Sequence, residues 1–454
     1  MLSLILTIKY LLRTRIVVLS ILAVALSSAL LICISSLFVG FIGALENAAS
    51  DHLGDILIQP YPTTKITYSR KLISELNTIE GIEASTPIVS TQGLLLLGKG
   101  DVRKVTVWGI DPSTQASVTD IKASLILQGD SESAPDFYPD EQTKTDAVYG
   151  YVGIGVLATP DSKTDEYDMD FVNSFVGSKA VLMTGSMDAG EGVKQDIRSL
   201  RRVNIPFTIC DVAYSGVDQF DTESIYLPIE ELSAKLYPSL SSKGVIADTI
   251  QIKVDQNVDM DSILERVEEC FSEFAVSQMG WSSSLVSFTD IRPTSDITAS
   301  MIAEYRKQMD ILMVIFGIVS GGVILLICCI FYMLVLTRQK DIAIIRSCGA
   351  GNFSVASIFL QFGLVVGVLG GALGLWAGRI FTVNINAIER WISTALGLNI
   401  WKSSVYMFSR IPNQVDWNMA FKIVFVAIMA ALIGSIIPAV IAAAIKPVKI
   451  LRYE

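Results

Sequence analysis

Along the chain, four long apolar runs without a charged residue interrupt segments of shorter period. The runs cover residues 16–45, 311–337, 353–378 and 423–445. Each exceeds the roughly 20 residues that carry a helix across a bilayer core. The pattern therefore predicts an α-helical membrane protein with four transmembrane helices. The first run is about twice as long as the roughly 7–15-residue apolar region of a secretory signal, so it reads as an uncleaved anchor. Residues 1–15, MLSLILTIKYLLRTR, place Leu4, Ile5, Ile8, Leu11 and Leu12 on one face, as an amphipathic helix lying in the interface does.

Between the first and second runs, the periods are those of an α+β domain inserted between helices 1 and 2. DILIQPY reads as a strand, SRKLISELNTIEG as a helix ended by Gly81, and IEASTPIVSTQGLLLL as extended chain. Near its far end TIQIKVD alternates as a strand. MDSILERVEECFSEF carries Ile263, Val267, Cys270, Phe271 and Phe274 at helical spacing, and VSQMGWSS is expected to return as a strand. A β-α-β unit thus lies at each end of the domain. Its middle, about 105–240, is strand-rich, with two strands joined by a long polar excursion over 185–201. A helix beginning near Thr294 or Ser295 and running to Thr337 would be about 65 Å long, twice the bilayer core, and its excess would form a stalk.

The expected division is an interfacial helix at 1–15, transmembrane helices at 16–45, 311–337, 353–378 and 423–445, and an extracytoplasmic domain at 46–310. A cytoplasmic connector helix spans 338–352, an extracytoplasmic loop 379–422 and a cytoplasmic tail 446–454. Orientation rests on Lys9, Arg13 and Arg15, on Arg338, Lys340 and Arg346, and on Lys446, Lys449 and Arg452. Four spans put these three clusters on one side, the cytoplasm, and the large domain outside.

Charge and composition sharpen this picture. Mean hydropathy is +0.51 over 454 residues. Residues 46–310 hold 21 Lys+Arg and 41 Asp+Glu, a net −20, against −10 for the whole chain. So acidic a domain argues against nucleic acid as a partner. Of the six cysteines only Cys210 and Cys270 share the outer compartment. They could bridge there, or each could be a small buried apolar residue.

Catalytic chemistry finds no support. No Asp, Glu, Lys, Arg or His lies inside any apolar run, which argues against an ion- or proton-coupled pathway. The sequence contains one histidine, His52, no GxSxG and no GxxxxGK[ST]. The chain is expected to be a non-enzyme with no cofactor of its own, driven by energy from elsewhere. The third run sets Gly363, Gly367 and Gly371, and likewise Gly370, Gly374 and Gly378, four residues apart. That spacing brings helix backbones close, either as static packing or in a helix that moves against its neighbour.

The connector RQKDIAIIRSCGAG is patterned like folded structure. Asp341 is placed to begin a short helix, Ile342 and Ile345 share a face, and Gly349 can end it. A plain helix on the headgroups fits this pattern. So does a docking element. The segment resembles the connector of FtsX/MacB-type ABC transporter permeases, written E-I-A-I-L-R-A-L-G-A. Ile342, Ala343, Ile344, Arg346, Gly349 and Ala350 match, and Asp341 stands for the acidic residue. IKYLLRTR, Gly40-Phe41, Leu53-Gly54, GLLLLGKGDVRKVTVWGIDPS, VYMFSRIPNQVDW and IKPVKILRYE resemble further segments of the lipoprotein-releasing (Lol) permeases.

The resemblance implies a permease subunit in the bacterial inner membrane, paired with a dimeric cytoplasmic ABC ATPase that binds ATP and Mg. A second permease subunit, the same or different, completes the complex. Its cargo would be lipoproteins, extracted among the membrane lipids and passed to a periplasmic carrier. Arg338, Lys340, Asp341, Ile342, Ala343, Ile344, Ile345, Arg346, Gly349 and Ala350 would form the coupling helix, with the isoleucines as contact face. Gly185, Ser186, Met187, Asp188, Arg198 and Arg201 occupy the place of a carrier-recruiting hook, without its prolines. Two other readings fit the chain: a mechanotransmitting permease acting on wall hydrolases or an efflux partner, and a membrane-anchored receptor or scaffold.

Overall fold

A computed structural model describes residues 15–98, 100–138, 147–161, 165–186, 201–255, 258–397 and 401–445. The amphipathic segment 1–14, the tail 446–454, and Met187, Asp188 and Arg198 lie outside them. The chain divides into two compact units. One comprises residues 1–44, 301–388 and 411–454, the other 45–300 and 389–410. Residues 389–410, taken from the sequence as part of a separate loop, fold with the larger unit.

In chain order, helix α1 (Arg15–Leu53) leads to β1 (Ile56–Gln59), α2 (Ser69–Leu76), β2 (Ile82–Gly98) and β3 (Asp101–Ile110). Helices α3 (Pro112–Val118) and α4 (Ile121–Ser124) follow, then β4 (Val148–Gly153), α5 (Ile154–Leu157), α6 (Met169–Asn173), β5 (Lys179–Ser186) and β6 (Arg201–Ala213). Helix α7 (Asp218–Glu223), β7 (Ser224–Pro228), α8 (Ile229–Leu236), β8 (Thr249–Val254), α9 (Met260–Ser277), α10 (Ser283–Ser287) and β9 (Asp290–Pro293) complete the strand-bearing part. Then come α11 (Thr294–Thr337), α12 (Gln339–Ser347), α13 (Asn352–Val383), α14 (Ile385–Leu396), α15 (Ser403–Tyr406) and α16 (Trp417–Ala444).

The larger unit is organised by β2, which serves two sheets. Its first half pairs with β8, and β1 lies between β8 and β9, all antiparallel. With α2 and α9 this gives a split β-α-β arrangement of ferredoxin-like order, so the units at both ends of the domain form one sheet. Leu72, Leu76, Ile263, Val267, Phe271 and Phe274 pack on Ile56, Ile58, Ile250 and Ile252. Their helical spacing in the sequence is that of a buried face. The expected strand VSQMGWSS is not formed. Val276 and Ser277 end α9, Gly280 turns the chain at φ 68°, and the strand comes later as β9.

The second half of β2 pairs with both β3 and β5. Further pairings run from β3 through β7, β4 and β6 back to β5, so six strands close into a barrel. Closure removes exposed edges, and Val107, Val152, Leu182, Ile205, Ile209 and Ile225 fill the interior. The long polar excursion begins after Ser186 and ends at Arg201, where β5 and β6 pair antiparallel.

In the other unit, among the described residues, four helices are long and apolar enough to cross a membrane. The apolar window of α11 is the least covered of the four. Helix α13 is the centre of packing. A Cβ on Gly363 or Gly367 would press on Ser435 or on Ile428 and Ala431 of α16, and Gly371 lies against Val424. Gly370, Gly374 and Gly378 meet Val24, Ser28, Ala29 and Ile32 of α1. The two glycine series thus serve two different neighbours. Gly434 of α16 in turn lets Ile324 and Ile327 of α11 approach.

Candidate functional site

A single residue, Arg338, separates the end of α11 from the start of α12. Arg338 occupies the N-cap position without a side-chain cap bond. Asp341 falls in the first helical turn rather than at the cap, where a carboxylate favours the positive helix end, and lies 3.4 Å from the Arg338 guanidinium. Gly349 closes the element at φ 99°, a left-handed backbone that glycine adopts without steric cost.

The isoleucine face does not point outward. Ile342 and Ala343 are buried, with Ile342 in the cluster of Leu334, Val355 and Phe359. Ile345 lines a small apolar pocket with Leu334, Phe359 and Phe362. The expectation that the isoleucines form one contact face is corrected accordingly: Ile342 is an internal anchor, and only Ile344 is exposed. Apolar periodicity marks the face that leaves water, and here that face packs on its own unit.

Arg346 is also turned inward. Its guanidinium donates to the Ala443 carbonyl at 2.9 Å and to the Ile445 carbonyl, and to Oδ1 of Asn352 at 2.6 Å. One side chain therefore ties α12 to the end of α16 and the start of α13. The planar guanidinium suits this, because it presents several fixed donors at once. The carbonyls at a helix C-terminus lack intrahelical partners and attract a cation.

What faces outward is Lys340, Ile344 and Ser347, one above another on the helix, followed by Cys348 and Gly349. Phe353, at the start of α13, is 85% exposed. Sequence reasoning did not single out Phe353 or Asn352. Their signal was only that an aromatic and an amide follow the glycine stop. The arrangement is a partly basic, partly apolar knob at the start of the third long helix.

The excursion's ends are ordinary strand termini. Ser186 is buried, its hydroxyl donating to the Leu236 carbonyl at 2.8 Å, while Arg201 is exposed and pairs with it across the ladder. Gly185 lines an open groove with Leu94, Lys104, Met183 and Arg202. Cys210 and Cys270 are both free and sit in different apolar clusters. Burial pushes the Cys210 thiol up to about 12. His52, the only histidine, packs its ring against Phe220 at 4.2 Å. Among the described residues, no group of His, Cys, Asp or Glu is arranged to hold a metal ion.

With a short connector helix between two of four long apolar helices and a large strand-rich unit, the chain resembles ABC transporter permeases of the FtsX/MacB-like type. It is similar, more particularly, to lipoprotein-releasing system transmembrane proteins. The LolC protein of Xylella fastidiosa strain Temecula1 is 24% identical over 361 residues, covering 76% of this chain and 79% of that one. The LolC protein of Neisseria meningitidis serogroup B is 23% identical over 85% of this chain and 81% of its own length. The LolE protein of Haemophilus influenzae is 27% identical over 119 residues, 26% of this chain and 29% of that one. Among solved structures, the periplasmic region of MacB from Actinobacillus actinomycetemcomitans is 14% identical, with TM-score 0.31, covering 57% of this chain and 96% of that one. No family model matches the chain.

Proposed function

We propose that this chain is the permease subunit of an ATP-driven ABC transporter that extracts lipoproteins from the inner membrane and passes them to a periplasmic carrier. One observation carries the reading: α12 is bolted to its unit by Ile342, Ala343 and Arg346 while Lys340, Ile344 and Ser347 face outward. A motor docked on that face would move α11, α13 and α16 as one body, because the anchor reaches all three. The likeness to LolC and LolE proteins supports lipoproteins as the cargo.

On this reading a separate ATPase, as a dimer, binds ATP and Mg on the cytoplasmic side, where both chain termini also lie. A second permease completes the pathway, and the strand-rich unit stands in the periplasm. The uncharged helices suit acyl chains, since apolar side chains face the lipid without a desolvation cost. The absence of proline from 185–201 favours one alternative, a permease that moves outer partners without recruiting a carrier.

Gentle co-purification from native membranes tests the proposal. It predicts recovery of an ABC ATPase, a permease partner and acylated protein together. Recovery of the chain with no ATPase contradicts it. An ATPase recovered with a wall hydrolase or efflux channel, and no acylated protein, favours the alternative.

A further inference from the structure

The segment between α14 and α16 does more than connect two helices. Trp401 stacks on Tyr406 with centroids 4.1 Å apart, and its indole N–H donates to the Phe408 carbonyl at 2.9 Å. Met407 takes φ 67°, a left-handed backbone that is costly for a residue with a side chain. Such a conformation persists where surrounding contacts hold it.

Those contacts lead to the barrel. Val217 and Phe408, both buried, form an antiparallel bridge. The Asp218 N–H donates to the Met407 carbonyl at 2.8 Å, and the Ser409 N–H to the Gly216 carbonyl at 3.0 Å. Upstream, the Ser403 N–H donates to Asp165 Oδ2 at 2.9 Å. The barrel side of this bridge is a turn built on one acid. Asp221 accepts from the Ser215 N–H at 2.7 Å, the Ser215 hydroxyl at 2.8 Å and the Gly216 N–H at 2.9 Å. Asp221 belongs to α7, and so does Phe220, against which the ring of His52 from the last turn of α1 packs at a tilt.

Two segments that run on into different apolar helices therefore end on the same six-residue helix. We propose that α7 and its entry turn form a joint that ties the α14–α16 segment and the end of α1 to the barrel together. The joint transmits displacement of those helices to the barrel without the polypeptide running directly between them. Its role in transport rests on the function proposed above; its existence does not.

Hydrogen exchange of the full chain in lipid nanodiscs tests the joint. Amides in 215–218 and 407–409 are expected to exchange at least about tenfold more slowly than exposed turns of the same unit. Asp221→Leu, which removes the acceptor of three bonds, should accelerate both segments together. Ser409→Pro should do the same from the other side without touching the barrel interior. Fast exchange of either segment in the unaltered chain, or a Ser409→Pro chain with 215–218 still protected, overturns the joint. In the complex with its ATPase, Ser409→Pro is expected to lower cargo-stimulated hydrolysis while basal hydrolysis holds; undiminished stimulation overturns transmission. If the unaltered complex shows no stimulation at all, the transport reading falls, and the exchange result alone decides the joint.

Discussion

The Arg346 guanidinium donates to Oδ1 of Asn352 at 2.6 Å while the same group reaches the Ala443 carbonyl at 2.9 Å. A single residue of the connector helix is thus bonded to the helices on either side of it in the packing. Arg346→Ala should cut coupled ATPase activity roughly tenfold, about 1.4 kcal/mol of lost coupling, while the ATPase still co-purifies. Arg346→Lys should not restore it, because one ammonium cannot span three acceptors on two helices.

Ile342 and Ile344 are two residues apart and should behave oppositely. Ile342→Ala empties a packed site and should destabilise the chain by about 2–4 kcal/mol. Ile344→Asp changes an exposed position and should leave thermal stability within about 0.5 kcal/mol. It should nonetheless abolish recovery of the ATPase. Thermal unfolding in detergent and a pull-down separate the two effects.

Helix glycines divide by what they meet. A Cβ on Gly374 would overlap the Ser28 hydroxyl, and one on Gly367 would come within 2.9 Å of the Ile428 Cα. Gly374→Val and Gly367→Val should each cost at least about 1–3 kcal/mol through overpacking. Apart from its chain neighbours and the adjacent turns of its own helix backbone, nothing among the described residues lies within 4 Å of a Cβ at Gly317 or Gly321. Gly321→Val should therefore leave the isolated chain's unfolding temperature unchanged.

Burial pushes the Asp221 carboxyl up to about 6, against the bonds from Ser215 and Gly216 that favour its ionised form. Asp218 also raises it, and Tyr167 and Tyr226 face it. A carboxyl with a raised folded pKa holds its proton in the native state while the unfolded chain has released it. Its contribution to stability is present below about pH 4 and is lost as pH rises toward and through about 6. Asp221→Asn should flatten that part of the pH–stability curve. Thermal unfolding at pH 4.5, 5.5 and 7 reads the difference.

Much of the fold was legible because it is local. Uncharged runs marked four long apolar helices, and the 3.6-residue spacing of Ile263, Val267, Phe271 and Phe274 marked the buried face of α9. Barrel closure was not legible, because the β2 and β3 pairings with β5 and β7 join segments far apart in sequence. The connector shows the limit most clearly. Its apolar stripe predicted a helix, but a stripe cannot say whether its cover is the same chain or another. Ile342 turned out to be covered internally, leaving Ile344 and Phe353 outside. The bridge between Val217, at the entry to α7, and Phe408 left no periodic pattern in the sequence, since it rests on backbone groups that every residue has.

The most direct measurement is ATP-driven release of an acylated lipoprotein from proteoliposomes containing this chain, its co-purified ATPase and permease partner, with a soluble carrier outside. The account predicts release that requires ATP and is lost in Ile344→Asp, whose fold is intact. ATP-dependent release that is undiminished in Ile344→Asp, or none from the unaltered complex while its ATPase turns over, would contradict it.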